Sequence, residues 1–424
     1  MNLERHICRT MAIATMLAIP NISWSQDSGQ LEEVLVTANR RVSALLDTPT
    51  AISAFDAAAL ERFSINGAQD LVARTPSLSM TGTPGKISIR GVGRPNNALG
   101  SDPGVAIYSD GVYTTEAGLF EYTNLFDTER VEVLRGPQGT LYGRNSVGGA
   151  INLISMGPSP IWKSKVNLEL GNYDYQAVQG LISGPITDQL SMMVAGSTIK
   201  RSGFQEEVTT GEDFDDRDTD YLRMSFKYHW SNVWYSRIQV AAVDLDRRPS
   251  NGYRNLPFST DYVQVVADQD TGAPLNLPGL FPGQNFVNFH QGYSQPNAAT
   301  RNGSKTQADV VPREATETRS IFLLNEVAIG DYRIKHLAAY YRYDYSRLVD
   351  NDGIAAEFSD FRWSNLYLFG IPVSALTGID LAPPMVTDQI NQEANFTSQD
   401  LQFYSELDGA VNFVSGLYYY RSDE

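Results

Sequence analysis

The sequence predicts a small α/β domain followed by an antiparallel transmembrane β-barrel that is incomplete, with about nine strands present. Three observations predict it. A glycine-studded reversal joins two strand-like runs between Val131 and Ile154; a period-two pattern takes over from Lys163 onward; and short and long connections alternate along the strands that follow.

The chain opens on an export signal. Met11 to Ile19 is an apolar segment, preceded by Arg5 and Arg9 and followed by Ser23-Trp24-Ser25, which is the pattern of a secretory leader cleaved near Ser25, residues 1–25. A buried core helix is the alternative, and the N-terminal position with its basic flank favours export. No run of eighteen apolar residues occurs, so no membrane helix is expected. The single cysteine, Cys8, lies inside the leader, leaving the exported chain without a disulfide framework. A net charge of −16 excludes a nucleic-acid groove, because neutralising phosphates takes clustered Lys and Arg. The 22 Tyr, 18 Phe and 34 Gly instead suit many short strands, aromatic girdles and turns.

Residues 26–48 form a connecting segment containing the β-prone stretch Leu31 to Ala38. An extended peptide of this kind can add itself to a partner's sheet edge through main-chain hydrogen bonds. It can equally be the first strand of the next domain. Residues 49–157 read as one α/β domain, with helical spacing over Phe55 to Phe63 and Ala68 to Arg74, Asp56 and Asn66 as caps, and strands at Lys86 to Arg90, Val105 to Ser109 and Arg130 to Arg135. The glycines at 136, 139, 143, 148 and 149 are not a phosphate-binding loop, since Gly143 is followed by Arg144-Asn145 and no Lys-Ser/Thr.

The run from Asp127 to Ser155, together with Ile87-Ser88-Ile89-Arg90-Gly91 and Tyr108-Ser109-Asp110-Gly111-Val112-Tyr113, resembles the plug domain of TonB-dependent outer-membrane receptors. That resemblance implies localisation in the Gram-negative outer membrane. It implies a TonB box at Glu32, Glu33, Val34, Leu35, Val36, Thr37 and Ala38, gripped by TonB and its inner-membrane energising complex; the docking reading is favoured because the stretch precedes a plug-like domain. It leaves no room for an additional N-terminal signalling domain. It also implies plug–barrel contacts at Arg90, Arg135, Gly136, Tyr142 and Gly143, where a guanidinium can hold wall carboxylates by forked hydrogen bonds.

From residue 158 to 424 the pattern is that of a wall. Val166, Leu168 and Leu170 alternate with Lys165, Asn167 and Glu169, and Leu222, Met224, Phe226, Tyr228 and Trp230 alternate with Arg223, Ser225, Lys227 and His229. Strands are expected at 164–171, 175–184, 189–200, 220–230, 233–244, 317–328, 332–346, 397–407 and 411–422. The tight connections Gly184–Asp188, Ser231-Asn232, Gly330-Asp331 and Asp408–Ala410 alternate with the others, which are long after the first hairpin. In an up-and-down sheet this puts all long loops on one side, as transmembrane barrels require and a sandwich does not. Aromatics at strand ends, Tyr340, Tyr341, Tyr343, Tyr345 and Tyr418 to Tyr420, are expected at headgroup level.

Plugged transporters use about 22 strands, and an open sheet edge in hydrocarbon leaves N–H and C=O groups unsatisfied at several kcal/mol each. The expectation is therefore a truncated sequence of a longer, monomeric receptor. A nonfunctional fragment or a soluble periplasmic plug-type binding module is the alternative. Scattered histidines (His6, His229, His290, His336) and the lack of zinc spacing or a nucleophile elbow point away from an enzyme, a protein metal site or a cofactor. The acidic run Glu212 to Asp220 suits either calcium or simple solvation, and it lacks the EF-hand's glycine and terminal glutamate. Tyr253, Phe258, Phe286, Phe289 and Trp363 are the candidate ligand-loop residues, with packing on one another as the plainer account. The resemblance implies uptake of a scarce small molecule such as a ferric siderophore, whose identity these residues leave open.

Overall fold

Nine long strands follow one another, neighbour to neighbour, through a single antiparallel sheet. In this computed structural model the described residues are 35–37, 40–41, 43–81, 85–93, 103–114, 125–207, 211–249, 305–306, 311–350, 367–368, 371–372, 387–409 and 411–423. The expected leader at residues 1–25, Glu32, Glu33, Val34 and Ala38, and the loop aromatics Tyr253, Phe258, Phe286, Phe289 and Trp363 lie outside them.

The N-terminal domain comes first. Its strands are β1 (Leu35–Val36), β2 (Ser43–Ala44), β3 (Ile52–Asp56), β4 (Leu78–Thr81), β5 (Lys86–Ile89), β6 (Val92–Gly93), β7 (Val105–Ser109), β8 (Val112–Thr114), β9 (Thr128–Arg135) and β10 (Gly149–Ser155). Helices α1 (Ala57–Arg62) and α2 (Ala68–Arg74) lie between β3 and β4, and one turn of helix, α3 (Gly139–Tyr142), lies between β9 and β10. The central sheet has the order β3-β9-β10-β7-β8, with β10 parallel to β7 and the other pairs antiparallel. Leu60 and Leu71 from the helices pack with Ile107, Val131, Val133 and Ile151 on one face of this sheet. The other face holds Ala106, Tyr108, Leu134 and Ala150.

Two glycines of the reversal are required sterically. Gly136 has φ +102°, and a Cβ on Gly149 would stand 2.2 Å from the Leu134 carbonyl oxygen. The helix expected over Phe55 to Phe63 begins only at Ala57, because residues 52–56 pair with β9; Asp56 is the cap, its carboxylate accepting from the Ala59 N–H at 2.7 Å. Asn66 is not a cap. Gly67 occupies that position, and the Asp70 carboxylate reaches back to the N–H groups of Asn66 and Gly67 at 2.9 and 3.1 Å.

The wall strands are β11 (Lys163–Gly171), β12 (Tyr175–Pro185), β13 (Leu190–Arg201), β14 (Arg217–Ser231), β15 (Trp234–Arg247), β16 (Arg313–Ile329), β17 (Tyr332–Asp350), β18 (Thr387–Ser405) and β19 (Val414–Asp423). Their polarity is inverted relative to a water-soluble sheet. Val166, Leu168 and Leu170 point away from the N-terminal domain with 61, 69 and 86% of their surface exposed, while Lys165 on the opposite face pairs with Glu61 of α1. The same holds on β15, where Ile238 and Val240 are exposed outward and Gln239 is buried inward. Such a band is stable against lipid and costly against water.

The aromatic expectation needs correction. Tyr343 and Tyr345 point inward and are buried, with Tyr343 packing beside Phe396 and Ala394 in one cluster. Tyr340, Tyr418 and Tyr419 of the expected set are exposed, and further exposed rings lie at the short-turn end, where Trp230 and Trp234 stack at 5.2 Å and Tyr332 opens β17. The acidic run is largely ion-paired, with Arg248 bridging Glu212 and Asp216 and Lys200 holding Asp218 at 3.2 Å.

The inverted polarity makes a direct prediction. Val240→Arg, mid-strand on the outer face, should cost about 2–4 kcal/mol in a bilayer, whereas a wet surface site would shift by about 0.5 kcal/mol or less. Urea titration of the chain refolded into lipid vesicles distinguishes the two, and a near-neutral result would mean that this face meets water.

Candidate functional site

The second face of the N-terminal sheet carries an unusual residue for its burial. Glu132 on β9 has no exposed surface, and its carboxylate is satisfied by donors from three directions. The Thr37 N–H donates to it at 2.8 Å and the Thr37 hydroxyl at 3.0 Å; Asn152 Nδ2 donates at 3.2 Å and Arg130 Nε at 2.9 Å. A buried carboxylate needs such a set, because an unpaired charge in this position would cost several kcal/mol. Asn152 also donates to the Tyr142 hydroxyl at 2.9 Å, and that hydroxyl donates to the Thr37 carbonyl at 3.3 Å. Val36, fully buried, completes the apolar patch with Tyr108, Tyr142 and Leu134. Burial pushes the Tyr108 and Tyr142 hydroxyls up to about 12, so both remain protonated donors at neutral pH. The strand at 35–36 is thus docked on the domain by a polar clamp and one apolar side chain.

A second set of contacts joins the domain to the wall. The Asp127 carboxylate meets Arg223 of β14 at 2.7 Å and accepts from the Tyr221 hydroxyl at 2.7 Å, and Arg223 also donates to the Asp127 carbonyl. The Asp110 carboxylate sits 3.6 Å from Arg237 of β15, accepts from Gln239 Nε2 at 3.1 Å and from the Ser155 N–H at 3.0 Å, and binds the Ser155 hydroxyl. Burial raises the Asp110 carboxyl, but Arg237, Arg223 and the Ser155 hydrogen bonds outweigh it and hold the group below the usual carboxylate range. At Asp127 burial outweighs Arg223 and Tyr221, so the group is raised.

Of the expected contact residues, Tyr142 lies in the buried cluster with Tyr108 and Ala150, against which Tyr420 of β19 packs. Arg90 is exposed at φ +54°, with its Nη1 3.3 Å from where a Cβ on Gly136 would stand. Gly143 is open to solvent space, and the Arg135 Nε is buried without a hydrogen-bond partner. Among the described residues no ion pair joins Arg90 or Arg135 to the nine strands. Sequence reasoning missed Asp110, Asp127, Glu132, Arg223, Arg237 and Gln239. The available signal was a charged or amide side chain on the buried face of an alternating strand, as at Leu222-Arg223-Met224 and Ile238-Gln239-Val240.

Residues 44–150 match the family TonB-dependent Receptor Plug Domain. The iron-regulated outer membrane virulence protein of Vibrio cholerae is 26% identical over 274 residues, which is 59% of this chain and 41% of that protein. The vitamin B12 transporter BtuB of Vibrio vulnificus is 26% identical over 264 residues, 60% of this chain and 42% of the transporter. In fold, the crystal structure of the ferric yersiniabactin uptake receptor FyuA from Yersinia pestis superposes with a TM-score of 0.62 at 18% identity, over 88% of this chain and 48% of the receptor. Residues 44–150 are a TonB-dependent receptor plug domain, and the chain as a whole has the fold of the outer-membrane receptors it resembles. It spans about two fifths of the length of the curated relatives it matches. The N-terminal domain is accordingly the plug, the nine strands are part of the barrel, and the ion pairs of Asp110 and Asp127 are plug–barrel contacts in the outer membrane.

The two carboxylates titrate in opposite senses. A group held below its ordinary value of 3.8 contributes stability above that pH and loses it as the pH falls through the folded value, which describes Asp110; Asp127 takes up its proton above 3.8. Asp110→Asn should therefore weaken plug protection at neutral pH by about 1.5–3 kcal/mol, the value of a charge-assisted hydrogen bond. It should also remove the further loss that sets in as the pH falls below the ordinary carboxylate value of 3.8. Hydrogen exchange of the plug amides measures both, and an unchanged acid profile would reject the assignment.

Proposed function

We propose that the chain supplies the plug and part of the barrel of an energy-driven importer, in which TonB grips residues 31–38 and displaces the plug. The observation that carries this reading is where the N-terminal strand leaves the barrel. Arg41 Nη2 donates to the Phe413 carbonyl at 2.7 Å, beside the tight connection between β18 and β19, and Arg40 lies 3.7 Å from Asp400 of β18. Short turns mark the periplasmic end of an outer-membrane barrel. The segment bearing Leu35, Val36 and Thr37 therefore lies on the side from which an inner-membrane machine can reach it.

The clamp geometry suits reversible release. Thr37 is held by the Glu132 carboxylate and the Tyr142 hydroxyl, and Val36 by one apolar patch and a two-residue ladder with β2, so extracting the strand leaves the helix-covered core intact. Arg90 and Arg135 are assigned to wall carboxylates beyond the nine strands, with the bare Cα of Gly136 leaving room for the Arg90 Nη1. The relatives named for iron regulation, ferric yersiniabactin and vitamin B12 support a scarce, chelated nutrient as cargo, and a ferric siderophore is the class we assign.

Val36→Pro tests the docking, because proline removes an N–H that an added strand needs. Copurification of the chain with a tagged periplasmic domain of TonB should fall at least tenfold in the variant, by the order of affinity that one or two lost main-chain hydrogen bonds carry. Retention at the strength of the unsubstituted chain refutes the assignment of residues 31–38.

A further inference from the structure

The outer face of the wall carries a groove of 330 Å³ across β14 to β17. Leu222, Met224, Val240, Ile321 and Tyr340 line it, and Arg319 is the charged residue of the lining. Arg319 stands ten residues from the short-turn end of β16 at Ile329, and Arg342, its direct cross-strand partner, ten from that of β17 at Tyr332. At about 3.3 Å per residue and a tilt of about 40°, ten residues rise about 25 Å, the height of the apolar band of an outer-membrane wall. Both arginines therefore stand where the outer leaflet changes from acyl chain to headgroup.

On each strand the outward residues run apolar, arginine, carboxylate: Ile321, Arg319, Glu317 on β16 and Tyr340, Arg342, Asp344 on β17. The carboxylates answer the arginines only in part. Arg319 meets Asp244 at 2.8 Å and Glu317 at 3.9 Å, and its Nη1 donates to the Val243 and Thr318 carbonyls at 3.2 and 2.8 Å. Arg342 forks onto Asp344 at 2.8 and 3.1 Å. The Arg319 Nε–H and both N–H groups of Arg342 Nη1 take no partner among the described residues, and the two side chains stay 47 and 52% exposed. Like charges set directly opposite on one face of a sheet repel, and an anion shared between them removes that cost.

We propose that the outer face of β14 to β17 is a docking site for a phosphate-bearing lipid of the outer leaflet. An acyl chain fills the groove beside Met224, Val240 and Ile321, and the phosphate oxygens accept from the unspent donors of Arg319 and Arg342. The source is a lipid and not a free phosphate, because the donors stand at an apolar groove that faces hydrocarbon. Neither the cargo nor the docking of residues 31–38 enters this site. A lipid held there would bind β14, β15, β16 and β17 together from outside, opposite the face that carries the plug.

The test titrates the purified chain in dodecyl maltoside, a phosphate-free detergent, with spin-labelled phosphatidic acid and with spin-labelled diacylglycerol of the same chains. Electron paramagnetic resonance reads the fraction of each lipid whose motion is restricted. Half-saturation by phosphatidic acid is expected at about a tenth of the concentration that diacylglycerol needs, the effect of one hydrogen bond to a charged group. Arg319→Gln with Arg342→Gln should bring the two lipids level, and Arg342→Gln alone serves, with a smaller drop, if the pair fails to fold. Arg421→Gln, which removes an outward arginine of β19 away from the groove, should leave the preference in place. Equal binding of both lipids by the unsubstituted chain, or a preference unchanged by the arginine substitutions at the groove, overturns the proposal. So does an equal loss in Arg421→Gln, which would show attraction by net charge alone, and so does release of phosphatidic acid by inorganic phosphate at constant ionic strength, which would show a free-phosphate site.

Discussion

Hydrocarbon on the outside of the wall dictates what lies inside it. A strand presents alternate residues to opposite faces, so placing Val166, Leu168, Val240 and Ile321 toward lipid sends Asn167, Arg223, Gln239 and Ser320 toward the plug. The plug thus meets a surface of mixed character. Its attachment combines hydrogen bonds and ion pairs with apolar clusters, Phe126 and Met156 against Leu181 and Met193, Val112 against Phe322 and Leu337, and Tyr113 against Tyr420. The polar contacts are ones that water can re-solvate. Once the strands part, Asp110, Asp127, Arg223 and Arg237 regain hydration, whereas the core of Ile107, Val131 and Ile151 has no such compensation. The plug can therefore separate from the wall at less cost than it can unfold.

The sense of the pairing carries a second consequence. The family resemblance puts arginines on the plug and carboxylates on the wall; among the described residues Arg40 faces Asp400 of β18 in that sense, whereas Asp110 and Asp127 are held by wall arginines in the opposite one. Contacts of both signs orient the plug more sharply than contacts of one sign, because rotating it inside the barrel would bring like charges together. Asp127 shows the cost of such a contact. Its burial outweighs its arginine, so the pair fixes geometry more than it adds stability.

The wall was legible because its signal is local. Alternation along a strand sets strand, face and register together, and the nine expected strands all occur, most of them with ends shifted by one to four residues and β18 beginning ten residues earlier, at Thr387. Plug helix α2 was equally plain. The segment 52–63 was not, since Phe55 and Leu60 fit a helical spacing even though residues 52–56 are captured by β9; the pairing partner is about eighty residues away and leaves no local trace. The site contacts follow the same logic. Asp110 reads as a turn residue and Asp127 as the start of a motif, and nothing near them names Arg237 or Arg223, which lie 127 and 96 residues on in sequence. What local pattern could offer was the other half of each pair, a guanidinium on the inward face of a mid-wall strand, which no barrel buries without an answering charge.

The docked N-terminal strand shows how a buried carboxylate can be part of a reversible contact. Thr37 supplies two of the four donor groups around Glu132, and Asn152 and Arg130 supply the rest. When the strand departs, the carboxylate keeps both of the donors that belong to the plug, and the vacated space opens toward the short-turn end, where water can enter. Removing the strand thus avoids the full penalty of a stranded charge. What remains to be overcome is the burial of Val36, about 1.5–3 kcal/mol, and about 1.5–3 kcal/mol for each hydrogen bond to a charged group before water replaces it. Together these amount to about 4.5–9 kcal/mol before water replaces the lost donors, which keeps the strand docked at rest, and rehydration of the carboxylate lowers the net cost of release, a compensation that unfolding the apolar core does not have. Force applied at residue 36 therefore meets its weakest resistance in this clamp, and the clamp yields before the sheet that carries Glu132 does.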